Sequence, residues 1–425
     1  MNKAGAMVFL MAVSCALRGM SAGPVSEFSM RDGLPNFFGK LKAGQEIRIA
    51  YLGGSITAAP GWRLLSQQWF SEQFPGAEIK EIFAAIPGTG GELGVCRIDA
   101  DVIAHRPDLV FIEFCVNGIG DTEERGRQIT EGLIRKIRTA LPEADICFVY
   151  TLASWHLADL AQGKIQWTAG TMESMLPHYG VPSINFAAEV CRQLDAGTLV
   201  FSLPKGTPVP EGKMLFSNDG THPLVETGHV LYNQAIIRAM TAMRDAGAAG
   251  PRRLPVPLES ANWADARRYP LSKAAMAGNW TAVNPVEVDG YTETTANRDF
   301  KKRFSELWQT EQPGTELVFR FEGTGFGLYG ISRCESGLFE VQVDQQKPMT
   351  GTLFDIYAGG PGRSKGWFYP RTLSPGLHTV RVRLLSEAPD KAGILAMVKK
   401  EPSGPRYDRN ELILGDVFVN GRLVD

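Results

Sequence analysis

The stretch IAYLGGSITAAP, from Ile49 to Pro60, decides the fold of the first half of the chain. It opens with apolar, β-forming residues, breaks at Gly53 and Gly54, and places Ser55 where a strand would end. The two glycines allow a tight turn and a close approach of the backbone to a ligand. Because ligands of an open parallel sheet bind at the carboxyl ends of its strands, this turn is a favoured place for a catalytic hydroxyl. Taken alone, the same pattern also fits a serine that caps the following helix.

Short apolar runs and segments of helical character alternate from Ile47 to about Asp245, the pattern of a parallel sheet covered on both faces. The expected strands are IRIAYL, EIKEIF, DLVFIEFCV, DICFVYTLA and VPSINF. The segment ETGHVLYNQAIIRAMTAMRDAG is expected to form a closing helix, with Val230, Ala235 and Met240 facing the sheet. We therefore expect an α/β domain with a five-stranded parallel sheet.

The composition changes after this helix. The segment AGAAGPRRLPVPLESANW is rich in Ala, Gly and Pro, which is typical of a connector. Beyond it, the strand-like runs ELVFRFEG, FGLYGI, GLFEVQVD and LHTVRVRLL are punctuated by Gly and Pro and predict an all-β sandwich of jelly-roll size. We therefore predict an α/β domain over 23–250, a linker over 251–265 and a β-sandwich domain over 266–425.

Charge and length narrow the classes of partner. A chain of 425 residues exceeds what one hydrophobic core usually organises, in agreement with two domains. Its 44 Lys and Arg against 46 Asp and Glu leave a formal charge of -2. This balance gives no electrostatic footprint for nucleic acid and no polybasic signal for a membrane surface.

The N-terminus has the pattern of a signal peptide. Lys3 precedes an apolar run from about Ala4 to Leu17, and small residues follow. The run is short for a membrane span. We therefore expect removal of residues 1–22, no transmembrane span, and an exported protein that is periplasmic or extracellular. Cys15 leaves lipoprotein anchoring open as an alternative, and a buried N-terminal helix is another.

No metal or cofactor site is indicated. The six cysteines include no CxxC pair, and no carboxylate or His/Cys grouping has the spacing of metal ligands. The segment GTGGELG weakly suggests a dinucleotide loop, but it follows the second strand rather than the first and lacks the GxGxxG pattern. We expect neither a metal nor a cofactor.

The next two predicted strands are also followed by residues that could donate hydrogen bonds in a catalytic site. The second runs into AAIPGTGGELG, a glycine-rich loop that contains Gly88, and the third ends in FIEFCVNG, which presents Asn117 in a turn. The N–H of Gly88, the side-chain amide of Asn117 and the N–H of Ser55 could converge on one point. Three such donors make a plausible oxyanion hole.

A histidine base is available on a loop before the closing helix. In SNDGTHPLVETGH, Asp219 stands three residues before His222. An aspartate at Nδ1 fixes the tautomer of the ring, while Nε2 takes the serine proton. Ordinary turn and capping chemistry also explains this spacing. His105, His229 and His378 lie in patterns that favour surface or packing roles.

Together these motifs resemble the SGNH/GDSL hydrolase family. The segment GGS, the Gly88 loop, VN at 116–117 and DGTHP at 219–223 match the four blocks of that family in order and spacing, over about residues 45–245. The stretch GTGGELGVCRIDADVIAHRPDLVFIEF is similar to a branch of the family that begins with GGS. The resemblance implies a flavodoxin-like, three-layer hydrolase domain.

The resemblance also implies roles for single residues. Ser55 would be the nucleophile, and Asp219 and His222 would complete the triad. Gly88 and Asn117 would form the oxyanion hole with the amide of Ser55.

Two positions depart from the usual family pattern. Gly54 replaces the Asp of the commoner GDS block, and Gly118 follows Asn117 where the family often has Asp. The second departure predicts a more mobile amide donor. A Gly118→Asp change would then raise kcat modestly by fixing that donor.

The sequence also supports predictions about the partners or positions of three further side chains near the strand ends. Glu113 lies inside the third strand and needs a partner if it is buried. We expect that partner to be Arg97. Trp155 and His156 follow the fourth strand and could line the pocket, although a packed loop is the alternative.

The function expected from these features is that of an exported serine esterase, which hydrolyses an O-acyl ester, with O-acetyl esters of a carbohydrate as the first choice. The expected partner is an acylated carbohydrate or another small ester. One alternative is a lipid or aryl-ester acylhydrolase. Another is a catalytically silent carbohydrate-binding protein, against which the presence of all four blocks counts.

Overall fold

The structure is a computed structural model that describes residues 25–285, 288, 300–358 and 362–424. The predicted signal peptide, with Cys15, lies outside these residues. Within them, every helix is too short or too polar to cross a membrane. The same residues contain no group of three or more His, Cys, Asp or Glu side chains that could hold a metal ion.

The first half of the chain contains a mixed sheet. Its strands are β1 (Phe28–Ser29), β2 (Ile47–Gly53), β3 (Ile79–Ala85), β4 (Leu109–Glu113), β5 (Asp145–Tyr150) and β6 (Ser183–Asn185). Their order is β1-β6-β5-β4-β2-β3. Strands β2 to β6 run parallel, and β1 pairs antiparallel with β6. The described sheet is therefore six-stranded and mixed, because β1, whose two residues are too short for a sequence pattern, adds an edge to the expected five strands.

Helices cover both faces of this sheet. They are α1 (Pro35–Lys42), α2 (Ser55–Ala58), α3 (Trp62–Gln73), α4 (Gly91–Asp101), α5 (Glu123–Ala140), α6 (Leu157–Leu160), α7 (Trp167–Glu173), α8 (Leu176–Tyr179), α9 (Ala187–Asp195) and α10 (Gly228–Met243). Successive side chains of a strand point to opposite faces. In β2, Ala50 and Leu52 accordingly join one hydrophobic core, and Ile49 and Tyr51 join the other. The sheet is buried on both sides, as in α/β folds.

Helix α10 packs against the sheet with a face that agrees only partly with the prediction. Ala235 and Met240 are buried as predicted, but Val230 is exposed. Val230 precedes the buried Ala239 by nine residues, which places it about 180° around the helix from that residue. The buried face is continued instead by Leu231 and Ile236.

The second half of the chain forms an antiparallel sheet. After the short parallel pair β7 (Leu199–Ser202) and β8 (Met214–Ser217) come β9 (Ala266–Pro270), β10 (Ala275–Ala277), β11 (Thr281–Val283), β12 (Leu307–Thr310), β13 (Glu316–Ser332), β14 (Leu338–Val343), β15 (Met349–Thr352), β16 (Arg363–Phe368), β17 (Gly376–Leu384) and β18 (Leu412–Val424), with α11 (Phe300–Arg303) and α12 (Lys391–Ala396). Within the described residues, β9 to β18 form one ten-stranded sheet.

The long strands β13 and β18 lie at the centre of this sheet. The runs ELVFRFEG and FGLYGI, which appear as separate strands in the sequence, are both parts of β13. Its pairing with β18 shifts register between Gly323 and Gly325. Glycine inside a strand marks a bulge here rather than a turn, so the chain continues in the same sheet.

Residues 251–265 lie against helix α5. The Glu131 carboxylate accepts the N–H groups of Leu258 at 2.6 Å and Glu259 at 2.7 Å. The ring of Trp263 is buried, and its backbone touches Gly132 so closely that a Cβ on the glycine would lie 2.6 Å away. The predicted linker is therefore a fixed segment in this structure.

One hydrophobic core crosses from the first half to the second. Its members on α4 and α5 include Val95 and Ile134, and its members in the second half include Tyr329 and Phe418. Arg125 of α5 also donates to the carbonyl of Tyr369 at 3.0 Å. The two halves are thus packed together through apolar and polar contacts, while the predicted domain boundaries stay a prediction.

Candidate active site

Ser55 lies at the carboxyl end of β2, the second strand from the edge of the mixed sheet. Gly54 precedes it in an extended conformation, and Ser55 is the first residue of the short helix α2. The Ser55 hydroxyl oxygen lies 2.9 Å from His222 Nε2. Among the described residues, the Ser55 N–H has no acceptor. The strand therefore ends on a hydroxyl that is already hydrogen-bonded to a potential base.

Asp219 and His222 belong to the loop between β8 and α10. His222 Nδ1 lies 2.7 Å from Asp219 Oδ2. The other carboxylate oxygen accepts the N–H groups of Thr221 and His222, each at 2.8 Å, and the hydroxyl of Ser217 at 3.0 Å. The loop thereby holds the carboxylate at both oxygens, and the imidazole bridges it to Ser55.

These contacts set the charge of Asp219. Partial burial acts to raise the pKa of its carboxyl, but hydrogen bonds from the His222 ring, from the N–H groups of His222 and Thr221, and from Ser217 hold that pKa well below its usual range. A carboxylate at Nδ1 favours the tautomer with the proton on that nitrogen. His222 Nε2 is then the acceptor for the Ser55 hydroxyl proton.

Gly88 lies in the loop after β3. The N–H of Ile86 donates to Gly53 O at 3.0 Å, and the Thr89 hydroxyl donates to Ile86 O at 2.7 Å, so the loop is fixed beside the end of β2. Gly88 has a φ of +71°, a conformation that favours glycine. Its N–H has no partner among the described residues.

Asn117 lies in the turn after β4. The Gly118 carbonyl accepts the Gly91 N–H at 3.0 Å, which ties this turn to the start of α4. A Cβ built on Gly54 would lie 1.9 Å from Asn117 Oδ1 and 3.5 Å from Thr89 O. The Asn117 turn and the Gly88 loop therefore meet at Gly54, directly before Ser55. Within the described residues, the buried Asn117 Oδ1 has no hydrogen-bond partner.

The predicted partner of Glu113 is wrong. Glu113 is fully buried, and its carboxylate accepts the hydroxyls of Thr57 at 2.9 Å and Thr151 at 2.7 Å. Burial raises the pKa of this carboxyl, and these hydrogen bonds, with one from the Gly54 N–H, act against the rise. Glu113 thus fastens α2, the helix that begins at Ser55, to the ends of β4 and β5.

Arg97 has other partners. Its guanidinium lies 2.7 Å from Asp101, one turn along α4, and donates to Ala84 O at 2.7 Å. It also reaches Gly53 O at 3.4 Å. The i, i+4 spacing to Asp101 satisfies this cation locally, which leaves Glu113 to neutral hydroxyl donors.

The segment after β5 flanks the Asp219–His222 loop. The Ser154 N–H donates to Gly220 O at 2.7 Å, which places the exposed Trp155 beside that loop. The His156 ring accepts the Ala153 N–H at 3.1 Å, and burial lowers the pKa of this histidine. The ring of His156 therefore holds its own turn, while Trp155 is open to solvent.

One contact at the site comes from the second half of the chain and was not expected from the sequence. Arg363 in β16 points its guanidinium at the Gly88 carbonyl, with 3.5 Å between Nη1 and the oxygen. The two residues are 275 positions apart, so no local pattern could have linked them. Ser217 and the two threonines that bind Glu113 were also missed, since a lone hydroxyl residue carries little sequence signal.

No protein-family model and no curated protein matches the chain. Among solved structures, a two-domain esterase (CEX) active on acetylated mannans, co-crystallised with mannopentaose, matches with a TM-score of 0.68 and 21% identity. The match covers 94% of this chain and 98% of that chain. A second structure of the CEX esterase gives 0.69 and 20% over the same shares. The chain shares the fold of this two-domain esterase. The likeness spans both the α/β half and the antiparallel half.

Proposed function

We propose that the protein is an exported serine esterase of SGNH type that hydrolyses O-acetyl esters carried by a carbohydrate. The observation that carries the proposal is the hydrogen-bonded chain from Ser55 through His222 to Asp219 at the carboxyl edge of the sheet. The shared fold supports it, because the CEX esterase is described as active on acetylated mannans. Export rests on the signal-peptide pattern of residues 1–22.

Acylation begins at Ser55. Its hydroxyl oxygen attacks the ester carbonyl carbon while His222 Nε2 takes the hydroxyl proton. The carbonyl oxygen becomes an oxyanion, for which the N–H groups of Ser55 and Gly88 and the amide of Asn117 are the proposed donors. When the tetrahedral intermediate collapses, the bond to the sugar oxygen breaks, and His222 gives its proton to that oxygen. The acetyl group stays on Ser55.

Deacylation repeats these steps with water. His222 Nε2 takes a proton from the water, whose oxygen attacks the acetyl carbonyl. Collapse of the second intermediate breaks the bond to Ser55 and returns the proton to its oxygen, so acetate leaves. Asp219 stays ionised throughout, because its hydrogen bonds hold its pKa low, and it stabilises the imidazolium formed in each half.

The supporting residues keep this machinery in place. Glu113 accepts hydrogen bonds from Thr57 in α2 and Thr151 after β5, which ties the short helix that begins at Ser55 to the ends of β4 and β5. A preorganised site of this kind avoids the cost of reorienting dipoles during the reaction. We expect a carboxylate-to-amide change at Glu113 to disturb the position of Ser55 rather than the chemistry itself.

The decisive experiment replaces Ser55 by Ala and measures hydrolysis of the acetyl, butyryl and octanoyl esters of p-nitrophenol. We expect a loss of several orders of magnitude for every ester and a change in the unfolding temperature of about a degree or less, because the lost hydroxyl serves chemistry rather than packing. Ser386→Ala, at an exposed serine beyond β17, is the matched control. A Ser55→Ala protein that keeps more than about a tenth of the wild-type rate would contradict the assignment.

The substrate class needs a second measurement. Release of acetate from a panel of acetylated xylans, mannans and other glycans identifies the carbohydrate. We expect the acetyl ester to be the best of the three p-nitrophenyl esters and at least one glycan to release acetate. Preference for the octanoyl ester with no release from any glycan would indicate a lipid acylhydrolase instead.

A further inference from the structure

An exposed aromatic side chain from the second half of the chain lies beside the candidate active site. Tyr357 is 63% exposed. The guanidinium carbon of Arg363 lies over its ring, 5.5 Å from the centroid. The same guanidinium reaches the carbonyl of Gly88. A single side chain therefore joins the tyrosine to the loop that carries a proposed oxyanion donor.

The backbone of this tyrosine is held by the side chain of Asp355. The Asp355 carboxylate accepts the Tyr357 N–H at 2.9 Å and also binds the guanidinium of Arg363. Lys365 Nζ lies 3.0 Å from the same carboxylate. Arg363 lies over one face of the ring, so a ligand would contact the opposite face. The arrangement is a fixed aromatic platform beside the Gly88 loop.

The chemistry of this platform suits a sugar ring. The C–H groups on one face of a pyranose carry partial positive charge, and the face of an aromatic ring is negative. Around the tyrosine, Arg363 and Lys365 are hydrogen-bond donors and Asp355 is an acceptor, as sugar hydroxyl groups require. An acyl chain would have to be placed among these ionic groups without hydrogen bonds to them, which is unfavourable.

We propose that Tyr357 forms a binding subsite for one sugar ring of the glycan whose ester is cleaved at Ser55. The inference rests on the proposed function and deepens it, since it assigns part of substrate recognition to the antiparallel half of the chain. The ring bound at Tyr357 lies on the side of the Gly88 loop, to which Arg363 joins the tyrosine. Substrates that extend beyond the acetylated sugar gain this contact, and small aryl esters do not.

The kinetic test compares Tyr357→Ala with Tyr357→Phe. On an acetylated oligosaccharide, we expect Tyr357→Ala to raise KM about three- to tenfold, the range of a lost aromatic contact, with kcat unchanged. Tyr357→Phe keeps the ring and should stay within twofold of the wild type. Both variants should hydrolyse p-nitrophenyl acetate like the wild type and unfold at the same temperature. An unchanged KM for the oligosaccharide in Tyr357→Ala would overturn the subsite.

A binding test separates this inference from the proposed activity. In the Ser55→Ala protein, calorimetric titration with unacetylated β-1,4-linked xylo-, manno- and gluco-pentaoses measures affinity without any turnover. We expect one of them to bind, and Tyr357→Ala to weaken that binding about three- to tenfold. If the wild type hydrolyses no ester while the Tyr357-dependent binding remains, the activity is refuted and the subsite stands. Hydrolysis of acetylated glycans together with binding that ignores Tyr357 would refute the subsite alone.

Discussion

Asn117 Oδ1 occupies the space that a Cβ on Gly54 would take, 1.9 Å from the ideal Cβ position. No side chain fits at position 54 unless the asparagine moves. The usual Asp of the family pattern would therefore displace Asn117 in this chain. The glycine lets the Asn117 turn lie directly against the turn that carries Ser55, so this departure is part of the site's geometry.

Replacement of Gly54 by Ala should damage the site through Asn117. The added methyl group forces the Asn117 side chain away, and the proposed oxyanion donor is lost or misplaced. We expect kcat for p-nitrophenyl acetate to fall by about 10- to 1000-fold with little change in KM. The Gly54→Ala/Asn117→Ala double variant should be no worse than the poorer single variant, because both remove one contact.

Gly39→Ala is the matched control for that substitution. Gly39 lies inside helix α1, and a Cβ there meets nothing within 4 Å. This variant should keep full activity. A Gly54→Ala protein as active as Gly39→Ala would show that Asn117 does not need its present position.

Asn117→Ala tests the donor itself. A side-chain amide aimed at the developing oxyanion acts mainly in the transition state, so kcat should fall by about 100- to 1000-fold, or roughly 3–4 kcal/mol. KM should barely change. Steady-state kinetics on one acetyl ester give both constants. A loss below about fivefold would mean that the donor lies elsewhere.

The structure reverses the effect that the sequence predicts for a Gly118→Asp change. Replacement by Asp seemed to offer a firmer Asn117 turn. In the structure Gly118 has a φ of +91°, a region that residues with a Cβ rarely adopt. We now expect Gly118→Asp to cost about 1–2 kcal/mol of unfolding free energy and to leave kcat no higher than in the wild type. Urea unfolding and kinetics of the same preparation measure both, and a more active, equally stable variant would contradict this expectation.

The local parts of the site were predictable from the sequence. Asp219 and His222 are three residues apart, and their hydrogen bonds form within one loop. Ser55, Gly88 and Asn117 each follow a strand that a short apolar run predicts. Parallel strands have their carboxyl ends at the same edge of a sheet. Residues that each follow such a strand are therefore expected to lie near one another.

The non-local contacts were not predictable in the same way. Glu113 accepts hydrogen bonds from the hydroxyl groups of two threonines, Thr57 and Thr151. Its charge alone suggested Arg97 as the partner, but the Arg97 guanidinium is paired with Asp101. The contact between Arg363 and Gly88 depends on how the two halves pack, which no pattern within either half encodes. Partner choice inside a protein follows from three-dimensional position, so a single sequence leaves it open.

His229 gives the protein a pH-dependent contribution to stability. Its ring is buried in α10, Nδ1 accepts the Trp62 N–H at 3.1 Å, and a Cβ on Gly61 would collide with the ring. Burial, with a smaller effect from His222, lowers the pKa of His229 to about 4. In the unfolded chain the pKa is about 6.5, so the unfolded state binds more protons between these values. This contribution is full above about pH 6.5 and is lost as the pH falls toward 4.

His229→Asn should remove that pH dependence. The amide oxygen of Asn can still accept the Trp62 N–H, but it does not titrate. Between pH 7.5 and 4.5, the wild type should lose about 2–3 kcal/mol more unfolding free energy than the variant. His105→Asn, at an exposed histidine, should follow the wild type. Urea unfolding at both pH values measures the difference, and equal losses in the wild type and His229→Asn would refute the role of this ring.

The shared core bears on whether the first half of the chain can fold alone. Arg252 pairs with the buried Asp145 at 2.8 Å, the N–H groups of residues 258 and 259 bind Glu131, and Trp263 packs on α5. A protein that ended at residue 250 would lose all of these contacts. It would also expose the apolar side chains of α4 and α5 that face Tyr329 and Phe418.

A fragment of residues 25–250 should therefore be insoluble, or soluble without fixed side-chain packing. Loss of the apolar contacts removes burial worth about 25 cal/mol per Å², and the Asp145 and Glu131 carboxylates would lose partners. Near-ultraviolet circular dichroism, the cooperativity of urea unfolding and hydrolysis of p-nitrophenyl acetate test this for fragments 25–250 and 25–265. We expect the longer fragment, which keeps Trp263, to be the more ordered of the two, and both to lack the Arg363 contact to Gly88. A 25–250 fragment with cooperative unfolding and wild-type activity on the small ester would show instead that the shared core is dispensable for the site.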